Sequence, residues 1–158
     1  MDSIRMEYSY YEEGNIGKSY SFRKLKPDKS FICEENLLAL LEINHKNDKG
    51  EYVKTETHVL VKKGIFKVTY ESKSKNTLGQ NVIERHSEFA KLADIRSLKE
   101  GCQYYKGTKD QDEILEYWVD IELVNGYKFI QFKEGVLCDK SSREAVLSFI
   151  EAIKAQPQ

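Results

Sequence analysis

The chain has 158 residues and a mass of 18.4 kDa; 40% of its residues are hydrophobic and 32% charged, and its mean hydropathy is −0.62. That length bounds the answer to one domain, or one domain with an extension, and the apolar share excludes a disordered chain. Lys plus Arg number 25 against 26 Asp plus Glu, a formal net charge of −1, so no global field exists to recruit nucleic acid or an anionic membrane.

Residues 1–30 are aromatic and polar together. Tyr8 and Tyr10, then Tyr20 and Phe22, show period-two spacing around a glycine-containing link, the pattern of a hairpin of half-buried strands. Tyr8 and Tyr10 are also candidates for a contact surface, because each ring joins an apolar body to a wet tip. Pro27 marks a break. EENLLALLEIN (34–44) is ambiguous: Leu37, Leu40 and Leu41 have helical spacing and good helix formers around them. The turn residues of Asn47 to Gly50 and the β-branched run that follows favour a strand and a hairpin.

Thr57 to Val61 and Ile65 to Tyr70 read as strands, with Phe66, Val68 and Tyr70 alternating against Lys67 and Thr69. SKSKNTLGQ (72–80) reads as a loop. Val82 to Phe89 alternates weakly, and Leu92 and Ile95 are expected to be buried. Gly101 to Lys106 is a further short run, and 107–112 a charged loop.

LEYWVDIELVNGYKFIQFK (115–133) carries the strongest signal. Two apolar-rich alternating runs meet at Asn125-Gly126, which calls for a two-residue type I′ turn with φ > 0 at both positions. In that register Leu123 faces Lys128, Ile121 faces Ile130 and Val119 faces Phe132, and the last four residues form the core face. Trp118, Asp120, Glu122, Phe129 and Gln131 then face solvent, with Trp118 partly covered by a neighbour and a candidate contact residue. Ser141 and Glu144 have capping-box spacing. Val146, Phe149, Ile150 and Ile153 make the apolar stripe of a closing helix, which Pro157 ends.

Run together, ENLLALL (35–41), THVLVKKGIFKV (57–68), LADIRSL (92–98), the Asn-Gly hairpin and the last helix resemble the pleckstrin-homology-like folds, in particular bacterial PH/GRAM-type domains. The resemblance implies a mainly β fold over residues 35–158: a β-barrel or strongly bent antiparallel sheet of about seven strands, capped by a C-terminal α-helix. Residues 1–34 are then an N-terminal extension, an added β-hairpin or arm. The lipid-binding members use a basic first hairpin loop of the pattern K-x(n)-[KR]-x-R. Lys46 and Lys49 match its first basic positions and Lys54 lies just beyond, so these three are the candidate ligand-binding residues. Glu51 replaces the Arg and Asp48 intrudes, which disfavours a phosphoinositide or a membrane surface, since a phosphate cage needs several converging donors.

The sequence supplies no other chemistry. His45, His58 and His86 have no partner at ligand spacing and read as surface or half-buried strand residues, so no metal site is expected. Cys33, Cys102 and Cys138 are far apart and without a nucleophile context, and an odd count of separated thiols fits a reducing compartment. Neither GxxxxGK[ST] nor GxGxxG is present, so no cofactor is implied, and the acidic residues around Asp110, Asp112, Glu113 and Glu116 lack the calcium-loop pattern. The longest purely apolar run, Leu37 to Leu41, is far short of a membrane span. The expectation is a cytoplasmic, non-enzymatic binding or adaptor module acting through a protein partner or a small ligand, without nucleic acid. The alternatives are a β-barrel that carries or transforms a small molecule, and an assembly subunit docking through its tyrosine-rich arm (6–22).

Overall fold

The computed structural model describes residues 4–25, 37–106, 114–134 and 140–157. Strand β1 (Arg5–Glu12) leads through a 3-10 turn (Glu13–Lys18) into the short helix α1 (Tyr20–Leu25). Four ten-residue strands follow: β2 (Leu37–Lys46), β3 (Tyr52–Val61), β4 (Gly64–Lys73) and β5 (Val82–Lys91). After a 3-10 turn (Leu92–Asp94) come β6 (Ile95–Tyr104), β7 (Ile114–Leu123), β8 (Lys128–Glu134) and helix α2 (Lys140–Lys154). The fold is mainly β, in two antiparallel sheets ordered β1-β2-β3-β4-β5 and β6-β7-β8. The sheets are not closed into a barrel.

β2 explains the ambiguity of its own sequence. Ala39, Leu41 and Ile43 point inward to the main core, whereas Leu37 and Leu40 join Val59, Ile16 and Phe22 in a second cluster on the outer face. A strand buried on both faces needs no alternation, so LLALLEIN reads as a continuous apolar run. The cover on the outer face comes from the 3-10 turn and α1. Here Tyr20 and Phe22 belong to a helical turn, and β1 pairs with β2 rather than with a second tyrosine strand. The hairpin expected between them does not form, because burying Phe22 against Leu40 and Val59 satisfies the segment better than an open ribbon would.

The main core lies between the sheets and under α2. Val119, Ile121, Ile130 and Phe132 are buried with Val146, Phe149, Ile150 and Ile153, as the alternation and the helical stripe require. Removing each such side chain from water contributes about 1.5–3 kcal/mol. Ile121 pairs with Ile130 and Val119 with Phe132.

The turn itself differs from expectation. Gly126 N–H donates to Leu123 O at 2.9 Å, Gly126 alone has positive φ (+88°), and Asn125 stays right-handed while its Oδ1 accepts Tyr127 N–H at 3.0 Å. This is a three-residue loop, with a type I turn closed by a left-handed glycine, and not type I′. The extra residue shifts the ladder, so Glu122 rather than Leu123 stands opposite Lys128, and Phe129 is 2% exposed in the core instead of facing solvent. Asn47–Gly50 and Asn76–Gly79 close their hairpins in the same way, each with its Asn Oδ1 accepting two backbone N–H groups. Helix α2 begins at Lys140, so Ser141 lies inside the first turn and is not the cap of a capping box. Leu92 is buried as expected and Ile95 half-buried. Cys33, Cys138 and the 107–112 loop lie outside the described residues.

Candidate functional site

Trp118 stands on the middle strand of the three-stranded sheet, on the face away from the core. It is the only tryptophan of the chain. Its cross-strand partner is Gly101 of β6, and the indole occupies the space a side chain there would fill: a Cβ on Gly101 would lie 2.5 Å from Cζ2 and 2.7 Å from Cε2. Glycine at this register position is therefore what lets the ring lie over the neighbouring strand. Gln103 and Glu116, Asp120 and Gln131 surround the ring and, with Phe132, line an open groove of about 600 Å³. The groove thus combines two aromatic residues, Trp118 and Phe132, with four planar polar groups. Gln131 Nε2 approaches Asp120 Oδ1 at 3.4 Å, and Lys128 approaches Asp120 at 3.9 Å. The strand period already aligns Glu116, Trp118 and Asp120 on one face. Gly101, Gln103 and Gln131 join them through strand pairing, which short-range spacing does not encode.

The basic candidates do not converge. Lys46 pairs with Glu7 at 3.2 Å and stacks over Tyr52, with Nζ 5.0 Å from the ring centroid. Tyr52 in turn meets Tyr20 of α1, which places Lys46 on the outer face. Lys54 alternates with Glu56 and His58 on the inner face, and Lys49 is exposed in the β2–β3 turn. Of the two tyrosines, Tyr8 is buried with its ring edge against Phe132 at 6.4 Å. Tyr10 is half-buried beside α2, where burial and then the charge of Glu12 push its hydroxyl pKa up.

Two polar clusters tie elements together, one buried and one part-exposed between the sheets. On the outer face, Glu42 is buried, and its Oε2 accepts the Ser19 hydroxyl, the Ser21 N–H at 3.0 Å and the Ser21 hydroxyl at 3.1 Å; Asn44 Nδ2 donates to Oε1 at 2.5 Å. Ser19 Oγ also accepts Phe22 N–H at 3.1 Å, so one serine caps α1 and ties it to β2. On the inner face, Lys67 Nζ donates to Phe129 O at 2.6 Å and pairs with Glu88 at 3.1 Å. Tyr127 Oη donates to Glu88 at 2.7 Å. Burial alone would raise the Glu88 carboxyl pKa; the Tyr127 hydrogen bond and the Lys67 ammonium outweigh it and hold it low. The Lys67–Phe129 and Tyr127–Glu88 hydrogen bonds join the two sheets.

His58 is not at the surface: it is 1% exposed, and burial pushes its pKa down to about 4. His45 pairs with Glu56 at 2.7 Å, and His86 pairs with Glu84. Among the described residues no group of three or more His, Cys, Asp or Glu is placed to hold a metal ion, and no helix is long and apolar enough to cross a membrane. Set beside protein-family models, curated proteins and solved structures, the chain matches none of them.

Proposed function

We propose that this chain is a non-enzymatic binding module of the pleckstrin-homology-like kind, which engages a protein partner through the Trp118 groove. The observation that carries the reading is the indole seated over Gly101, beside four polar side chains, on a sheet face turned away from the core. Aromatic anchors ringed by polar groups dominate the energetics of protein recognition. The order of the elements, a long sheet, a three-stranded sheet and a closing helix, supports the pleckstrin-homology-like part of the reading. The full burial of Val119, Ile121 and Ile150 favours a surface contact over cargo held inside. Tyr8 is packed within its own chain, which favours the groove over a free N-terminal arm.

The test is capture from the native cell lysate with the wild-type chain, Trp118→Ala and Gly101→Ala. The added methyl of Gly101→Ala displaces the ring without removing it, and the emission of the single tryptophan reports the displacement. Partners retained by the wild type and lost from both variants, at unchanged melting temperature, are the expected result. An identical set of retained proteins on all three would overturn the reading.

A further inference from the structure

A second surface lies on the opposite sheet. β1 is an edge strand, hydrogen-bonded to β2 on one side and to no other strand among the described residues on the other. An open edge presents a row of backbone donors and acceptors, and natural chains cover such an edge or use it. Beside it runs α2, which packs its apolar stripe inward against β1 and β2 and leaves its polar flank alongside the strand. Between strand and helix is an open groove of about 620 Å³, with Tyr10 and Glu12 on the strand bank and Glu144, Leu147 and Glu151 on the helix bank.

Positions 144, 147 and 151 follow the i, i+3, i+7 spacing of one helix flank, so the two glutamates bracket Leu147. Leu147 is 37% exposed, an apolar side chain between the two glutamates, with Ser148 and Ala152 beside it on the same bank. Each bank carries acid: Glu12 from the strand, Glu144 and Glu151 from the helix. On the helix bank Lys154, well exposed, pairs with Glu151 at 3.5 Å. The edge asks for an extended chain, Leu147 for an apolar side chain, and the glutamates for positive charge.

We propose that the open edge of β1 and the flank of α2 form a docking groove for a basic, extended segment of a partner protein. The segment adds a strand to β1, places an aliphatic side chain on Leu147 and sets lysine or arginine side chains against Glu12, Glu144 and Glu151. A second copy of this chain is the poorer occupant, because its edge would bring the same three glutamates to the seam. The groove is separate from Trp118, which sits on the other sheet.

The probe is an end-blocked octapeptide of alternating lysine and leucine, with its glutamate–leucine counterpart as control, titrated into the full chain by calorimetry. Hydrogen exchange locates the contact. The expected result is binding of the lysine peptide alone, weakened by salt, with slowed exchange of the β1 amides between Arg5 and Glu12. The double variant Glu144→Lys with Glu151→Lys, both exposed positions, weakens binding by about tenfold or more at unchanged melting temperature. Trp118→Ala leaves it intact. Equal binding of both peptides, binding indifferent to the double variant, protection elsewhere than β1, or a wild-type chain that sediments as a dimer through this edge would each overturn the proposal.

Discussion

His58 sits where the two sheets and α2 meet, its ring 5.2 Å from that of Phe132 and 6.3 Å from that of Phe149. Burial is the main reason its pKa falls to about 4 from 6.5; Glu56 pulls it up, Lys67 pushes it down, and a hydrogen bond with the Leu41 backbone pulls it up. Among the described residues its Nδ1 has no partner, so the neutral ring is the form the core accepts. Because the folded pKa lies below the unfolded one, the unfolded chain takes up the proton first as the pH falls. His58 therefore contributes its full stability above about pH 6.5 and loses it progressively down to about pH 4. A gap of two and a half units corresponds to about 3 kcal/mol. Urea unfolding of the wild type should weaken through this window, and His58→Leu should flatten that part of the profile. Parallel decline of the two proteins would place the acid sensitivity elsewhere. The sequence TETHVLV does not reveal this burial. β3 is covered on both faces, Thr57 and Val59 on one and His58 and Leu60 on the other, so alternation there does not separate inside from outside.

At the scale of elements, the three glycine-closed turns decide register. Gly50, Gly79 and Gly126 have φ of +78°, +78° and +88°, and none of them has another atom within 4 Å of where a Cβ would stand. The requirement is thus conformational and not steric. Gly126→Ala should cost about 1 kcal/mol, the left-handed penalty for an L-residue, while Asn125→Asp, which keeps the side-chain oxygen, should be nearly neutral. A type I′ turn would instead require φ > 0 at position 125 as well, so a large loss from Asn125→Ala in equilibrium unfolding would contradict the observed geometry. The pair Asn-Gly was legible as a hairpin and its core face was legible as Val119, Ile121, Ile130 and Phe132. The turn type was not, because Asn-Gly also suits positions two and three of a three-residue loop, the last two residues of a type I turn closed by a bulge. That one extra residue turned Phe129 inward. The same limit governs the site: Trp118 could be picked out as an outward aromatic, but Gly101 beneath it comes from β6, and only strand pairing brings the two together. α1 was missed because its stability is tertiary. Six residues are too short to be helical alone, and Glu42, whose partners are 21 and 23 residues upstream, holds them in place.

In the whole molecule, α2 and the main core do what a closed hydrogen-bonded barrel would otherwise do. Among the described residues no ladder joins the two sheets. Their union rests on side chains from β2, β3 and β4 meeting those of β7, β8 and α2, reinforced by Lys67, Glu88 and Tyr127. Such a joint is mainly hydrophobic, and it fails when a charge enters it. Ile150 is fully buried at the centre of the helix stripe. Ile150→Asp removes about 2–3 kcal/mol of apolar burial and adds an unpaired carboxylate costing several more, against a total stability of about 5–15 kcal/mol for a domain. The expected outcome is loss of the cooperative thermal transition. Leu147→Asp, three residues away on the exposed flank, should change stability by no more than about 0.5 kcal/mol and yet weaken binding of the lysine–leucine peptide, since it removes the apolar side chain on the helix bank of the groove. The pair separates the two sides of one helix by calorimetric melting and peptide titration. If Ile150→Asp melts cooperatively near the wild-type temperature, the sheets are held together by something other than this stripe. If Leu147→Asp unfolds the chain instead, that flank belongs to the core and not to a groove.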